Sequence, residues 1–264
     1  MLALHILASG SRGNATVVEN TATGRGILID CGICKRDFFA RCDEAGFDPA
    51  KLDAILITHD HGDHTKGLGV VMRGLEKIGR RPAVYAADAV VRASKPIQDA
   101  TAHIGTRDFA AGQCLSAAGM SIFPFATSHD AAASFGFRVE ADGDAAGFMT
   151  DTGIVTADAH DHLRDVRLLA LESNHDPRML REGPYPYVVK QRIGSDVGHL
   201  SNIQGAEELA ALLSTRLEAV AAMHISEHNN EYDLAKRGFA ETLEREGHGA
   251  RVVCGYQGRL TTLA

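Results

Sequence analysis

The chain has 264 residues, 45% of them apolar, and a net charge of −7. That is enough to build a full core in one large domain or two small ones, which excludes a disordered chain, and no apolar run is long enough to cross a bilayer. The acidic balance excludes nucleic-acid binding through a broad basic face, so a phosphate-rich ligand must meet local positive charge, including that of any bound metal.

Residues 1–7 are apolar but carry neither a basic leader nor a small-residue cleavage site. The expectation is a buried first strand at residues 2–8 and a cytoplasmic protein that neither spans nor binds a membrane. The five scattered cysteines fit reduced thiols. Residues 9–14, Ser-Gly-Ser-Arg-Gly-Asn, form a tight turn whose N–H groups are a candidate phosphate cradle. Strands follow at 15–19 and 26–29, then a helix at 35–45 closed by Gly46. A buried strand at 54–58 leads to a helix at 65–78. Further strands are expected near 83–86, 120–127, 135–140 and 145–150. The last third reads strand 168–172, helix 203–213, strand 219–224, helix 234–246 and strand 251–254. Hairpin-like strands mixed with helices in both halves suggest two mixed sheets packed face to face with helices outside, a four-layer αββα sandwich over residues 1–264. Periodicity alone leaves a doubly wound sheet open.

The segment from Thr58 reads Thr-His-Asp-His-Gly-Asp-His and lies between a buried strand and a helix. His59 and His61, two apart in extended chain, point the same way. Asp63 and His64 come at the turn into the helix, where Gly62 relaxes the backbone. Imidazole and carboxylate suit Zn²⁺, Mn²⁺ or Fe. One loop cannot close two metal sites, and three other strand ends offer ligands: His129, Asp151 and His224. Cys31 and Cys34 form a C-x-x-C with no second pair nearby and read as buried or idle thiols. His160 and His162 read as surface residues.

This order of ligand types resembles the metallo-β-lactamase superfamily over nearly the whole chain. The resemblance implies two divalent metals, one held by His59, His61 and His129 and the other by Asp63, His64 and His224. Asp151 would bridge them and Asp30 would support the loop. Class B β-lactamases lack the His64 ligand, and the diiron flavoprotein branch replaces the second His with Glu. The chain more closely resembles the YycJ/WalJ group of bacterial proteins, through Ser9 to Asn14, His129-Asp130, the Glu-Ser-Asn-His-Asp segment at 172–176, Tyr185-Pro186, residues 190–193, Gly198 to Asn202 and residues 224–230. Two departures are Arg12, where that group usually has Ser, and His228, which competes with His224 for the last ligand position. His224 fits the strand end better. The group is also similar to the tRNA 3′-processing endonucleases of the RNase Z type. That resemblance makes His199 a proton donor and Glu172 its orienter, with Asp63 counted as catalytic as well as a ligand. Ser11, Arg12, Asn14 and Asn229 are the candidate substrate contacts, and one or two of Arg178, Arg181, Lys190 and Arg192 could touch a polyanion. The implied function is a dinuclear phosphodiesterase, an exonuclease acting on nucleic acid. The alternatives are an ester, thioester or lactone hydrolase of the same fold, or a metal-binding scaffold without turnover.

Overall fold

The computed structural model describes residues 1–264. In chain order the elements are β1 (Leu2–Ala8), β2 (Ala15–Asn20), β3 (Arg25–Ile29), α1 (Lys35–Ala45), β4 (Leu52–Leu56), α2 (Gly62–Thr65), α3 (Leu68–Lys77), β5 (Ala83–Tyr85), α4 (Asp88–Ala93), α5 (Lys95–Thr101) and β6 (Leu115–Ala117). They continue with β7 (Met120–Ala126), β8 (Phe135–Ala141), β9 (Asp144–Met149), α6 (Ala157–Leu163), β10 (Leu168–Glu172), α7 (Pro177–Glu182), α8 (Tyr187–Ile193), α9 (Asn202–Leu212), β11 (Ala219–Met223), α10 (Tyr232–Arg245), β12 (Arg251–Cys254) and β13 (Thr261–Leu263). No helix is long and apolar enough to cross a membrane.

The strands form a six-stranded sheet, β13-β1-β2-β3-β4-β5, and a seven-stranded sheet, β12-β11-β10-β9-β8-β7-β6. Each is antiparallel over its hairpins and parallel where helices intervene: β3 runs parallel to β4, and β9, β10 and β11 run parallel to one another. Ile6, Leu28, Ile55, Phe137 and Leu168 belong to one buried cluster that draws on both sheets. Leu171, Val220, Leu209 and Phe239 belong to a second, which joins the seven-stranded sheet to α9 and α10. Burying each such side chain contributes about 1.5–3 kcal/mol relative to leaving it in water. The sandwich is therefore the αββα arrangement expected, and the doubly wound sheet is excluded.

Several elements depart from the sequence reading, which placed none at α4, α5, β6 or α6. The helix expected at 65–78 is two helices, α2 and α3, because Gly67 breaks the run: its N–H donates to Cys31 O at 2.9 Å, and a Cβ there would lie 1.9 Å from Ile33 O. As a result Asp63 and His64 sit in the single turn of α2. β13 pairs with β1 although only three residues long. The stretch between β10 and α9, left without structure in the sequence reading, holds α7 and α8.

Candidate metal centre

β3, β4, β9, β10 and β11 all end toward one edge of the sandwich, and the residues that follow them carry the polar side chains. Three of these are left-handed without being glycine: Asp30 (φ 60°), Asp151 (φ 58°) and His224 (φ 53°). Such backbone costs of order 1–3 kcal/mol and persists where surrounding structure over-determines it, most often at functional sites. The metal loop is pinned from below by Gly32, whose absent Cβ leaves room for Asp63 O; a Cβ would lie 1.6 Å from it. Asn14 N–H donates to the same carbonyl at 2.8 Å, and Cys31 N–H to His64 O at 2.8 Å.

The structure brings together all seven residues expected as ligands. The nitrogens of His59, His61 and His129 lie within 4.8 Å of one another, as do the donor atoms of Asp63, His64 and His224. Asp151 faces both groups, with Oδ2 3.5 Å from His64 Nε2 and Oδ1 3.8 Å from His129 Nε2. His228 lies outside both, exposed and edge-on to Tyr185 at 5.7 Å between ring centroids. Those two facts favour His224 as the last donor.

Second partners fix which nitrogen of each ring faces the centre. Asp30 accepts from His64 Nδ1 at 2.7 Å and from the Thr58 hydroxyl at 2.9 Å. Having given its proton to Asp30, Thr58 Oγ1 accepts from His59 Nδ1 at 2.9 Å. His129 Nδ1 donates to Gly198 O at 2.9 Å. Glu172 Oε1 accepts from both His199 Nδ1 at 2.9 Å and His224 Nδ1 at 3.1 Å, while Oε2 takes the N–H groups of Thr152 and Leu200. Every Nδ1 so engaged leaves its Nε2 for the centre, the usual way a metal-ligating imidazole is held. The sequence reading gave Glu172 to His199 alone and missed Thr58, which the position immediately before His59 could have flagged.

These residues fit divalent ions. His59 Nε2, His224 Nε2 and Asp151 Oδ2 are buried with no hydrogen-bond partner, which is costly unless something else satisfies them. His61 Nδ1 and His129 Nε2 are 3.3 Å apart, and Asp63 Oδ2 lies 3.5 Å from His64 Nε2 and 3.6 Å from His224 Nε2. Such separations are about the edge of a tetrahedron with bonds of roughly 2.0–2.1 Å.

The charge states follow from the same packing. Burial alone would raise Asp63, Asp151 and Glu172, but the surrounding histidines outweigh it and hold all three below the ordinary carboxylate range, Glu172 at about 2. Burial would lower His224, but Asp151, Asp63 and Glu172 overcome it and raise it to about 10; His64 is raised likewise by Asp151 and Asp30. Burial and neighbouring His64 keep His59 neutral. In the metal-free chain the raised His224 therefore adds stability below its ordinary 6.5, which is lost as pH rises through about 10. The lowered Glu172 adds stability above its ordinary 4.5, which is lost as pH falls through about 2. A protonated imidazole nitrogen cannot coordinate. Loading with Zn²⁺ at pH 7 is thus expected to release about two protons per chain, from His64 and His224, and to tighten as pH rises from 7 toward 10. Calorimetry in buffers of different ionisation enthalpy measures this release, and none at pH 7 would remove the charge assignment.

The comparisons with known proteins agree with this geometry. Residues 25–225 match the family described as the beta-lactamase superfamily domain. The chain belongs to the metallo-β-lactamase superfamily. Among superfamily members it is 33% identical over 249 residues to exodeoxyribonuclease WalJ of Streptococcus pneumoniae, covering 94% of this chain and 90% of that protein. It is 31% identical over 247 residues to exodeoxyribonuclease YycJ of Bacillus anthracis, covering 92% and 90%. The crystal structure of the metallo-β-lactamase fold protein YhfI from Bacillus subtilis superposes with a TM-score of 0.73 at 16% identity, covering 99% of each chain. The fold and the His/Asp cluster together suggest divalent-metal binding.

Around the centre, some expected substrate contacts are placed otherwise. The turn at 9–14 is not a phosphate cradle. Gly10 N–H donates to Asn14 Oδ1, Arg12 N–H to Gln257 Oε1, Gly13 N–H to Gly10 O and Asn14 N–H to Asp63 O, which leaves only Ser11 N–H uncommitted. Ser11 and Arg12 are exposed, and Arg12 is paired with Glu227 at 2.6 Å. Asn14 is buried against the centre, its Nδ2 2.9 Å from His64 Nε2 and 3.4 Å from Asp63 Oδ2, so it supports ligand atoms and does not face outward. Asn229 is wholly buried beside Gly183 and gives a substrate no access. Cys31 is buried and its thiol is pushed well up by burial; Cys34 is exposed at the start of α1, and neither is bonded to another cysteine. His160 pairs with Glu208 and His162 stacks on Phe125, away from the centre.

Proposed function

We propose that this chain is a two-metal phosphodiesterase that removes nucleotides from the end of a nucleic acid, DNA above all, in the cytoplasm. The observation that carries the reading is the Glu172–His199 pair at the mouth of the centre. Its support comes from the relatives named exodeoxyribonucleases and, for the compartment, from five free cysteines.

His59, His61 and His129 would hold one ion, Asp63, His64 and His224 the other, and Asp151 both; Zn²⁺, Mn²⁺ and Fe all suit this donor set. Bound there, two divalent ions supply Lewis-acid stabilisation of the phosphoryl oxygens and activation of water at neutral pH. The protein's own part is to place a proton. The His199 ring centroid lies 4.9 Å from that of His129 and 5.1 Å from that of His224, and the side chain is partly exposed. Glu172 holds Nδ1–H, which fixes the tautomer, so Nε2 is the nitrogen free to serve a departing oxygen. Glu172 is itself held in place by His224 Nδ1 and by the N–H groups of Thr152 and Leu200.

The reading is tested on single-stranded DNA, duplex DNA, RNA and a chromogenic phosphodiester, each with Zn²⁺ and with Mn²⁺. The expected result is shortening of DNA from one end with release of mononucleotides. Rapid turnover of thioesters or lactones with no phosphodiester cleavage under either metal would overturn it.

A further inference from the structure

Helix α8 is seven residues long and buries none of them. Tyr187 and Val188 at its start are 74% and 77% exposed. An isolated helix this short does not persist in water, and one without a buried face gains nothing from packing. It is held instead by polar tethers from its C-terminal half. Lys190 Nζ donates to Arg181 O at 2.8 Å, and the Arg192 guanidinium donates to Asp130. Beyond the helix, Ile193 O accepts from His199 N–H, Asp196 O from the Ser128 hydroxyl, Val197 O from Asp130 N–H and Gly198 O from His129 Nδ1. The helix is thereby fastened to both neighbours of His129 and leads into His199. An exposed aromatic residue, Tyr187, thus sits on the helix whose C-terminal end is bonded to the segment around His129 and to His199.

Charge decides what covers it. Residues 177–198 carry four cations, Arg178, Arg181, Lys190 and Arg192, against two carboxylates, Glu182 and Asp196, in a chain of net −7. Lys190 has no carboxylate within salt-bridge distance. It shares a helix face with Tyr187, three residues earlier. Arg178 and Arg181 pair with Glu182 and Arg192 with Asp130, so the free charge is that of Lys190, which a second copy docking symmetrically would set against its own counterpart. A polyanion with exposed ring faces matches Lys190 and Tyr187. The rim continues in the same chemistry: Tyr185 meets His228, and Glu227 next to it carries Arg12.

We propose that α8 is the platform for the nucleic-acid strand entering the centre. Tyr187 stacks on an unpaired base, and Lys190 contacts the phosphate beside it. This rests on the nuclease reading above. The test is steady-state cleavage of a single-stranded oligodeoxynucleotide by metal-loaded enzyme, with metal content and solution mass measured on every variant. Tyr187→Ala should raise KM about 5- to 150-fold, the range for one stacked base, with metal content unchanged. Tyr187→Trp should restore KM and Tyr187→Leu should not. KM unchanged in Tyr187→Ala, or equal rescue by Leu and Trp, would overturn the platform and leave the nuclease standing. A fall in solution mass on Tyr187→Ala would mean that a second copy covers the helix and would overturn it as well. If the wild-type enzyme cleaves no nucleic acid, the nuclease reading fails and the platform falls with it.

Discussion

Replacing Asp151 with Ala is expected to reduce the metal content of protein purified without chelator from about two ions per chain to less than one, and to lower hydrolysis by more than about 100-fold. Two ions that share a bridging carboxylate sit about 3.5–4 Å apart, and the bridge is what lets two cations approach so closely. Asp151 is the only carboxylate that faces both donor groups, 3.5 Å from His64 and 3.8 Å from His129. Removing a supporting group around a metal typically costs about 10–100-fold, so removing a shared ligand should cost more. Asp30, which touches only His64 and Thr58, provides the comparison: Asp30→Asn should fall within that 10–100-fold range. Because Asp151 also neutralises buried histidines, Asp151→Asn, which keeps the volume, should accompany the alanine, and a thermal melt should show that both remain folded. Two ions per chain and wild-type turnover in Asp151→Asn would remove Asp151 from the centre.

The parts of this site that could be read in the sequence share one physical feature. Each ligand type follows a run of apolar residues that has to be a buried strand: Ile55 to Ile57 before His59, Ile122 to Phe125 before His129, Phe148 and Met149 before Asp151, and Val220 to Met223 before His224. Strand ends collect at the edge of a sheet, so residues just past them meet. What stayed hidden depends on contacts between segments far apart in the chain. That Arg12 gives its N–H to Gln257 depends on the chain returning beside β1 to form β13, and three residues, two of them half open to solvent, give too little periodicity to predict that strand. The break at Gly67 arises from carbonyls of the preceding loop, with no proline or capping signal to mark it. Asn229 looked like a polar loop residue, yet it lies under Gly183 because residues 173–176 and 224–230 bind one another through Ser226 N–H, Asp176 N–H and the Asn230 amide. Helix α8 escaped because its apolar residues, Tyr187 to Val189 and Ile193, mark no clear amphipathic stripe, and only Lys190 and Ile193 turn half inward.

Loss of His199 should separate substrates by their leaving groups. An alkoxide departing from a nucleic-acid phosphodiester has a high pKa and needs a proton as the bond breaks, and a positioned acid typically contributes about 10²–10⁴-fold. A nitrophenolate departs stably without one. His199→Ala is therefore expected to lower cleavage of DNA by about 10²–10⁴-fold while leaving hydrolysis of a nitrophenyl phosphodiester within a few-fold of wild type. The metal content should not change, because the donor that His199 shares with Asp151, Glu172 and His224, its Nδ1, is taken up by Glu172. Glu172→Gln should behave differently. Glu172 Oε1 accepts from His224 as well as His199, so its replacement should slow both substrates and weaken metal binding together. Equal losses on both substrates in His199→Ala, or metal lost along with the activity, would make His199 a structural or metal-binding residue. The proton for the leaving oxygen would then have to come from another source than His199.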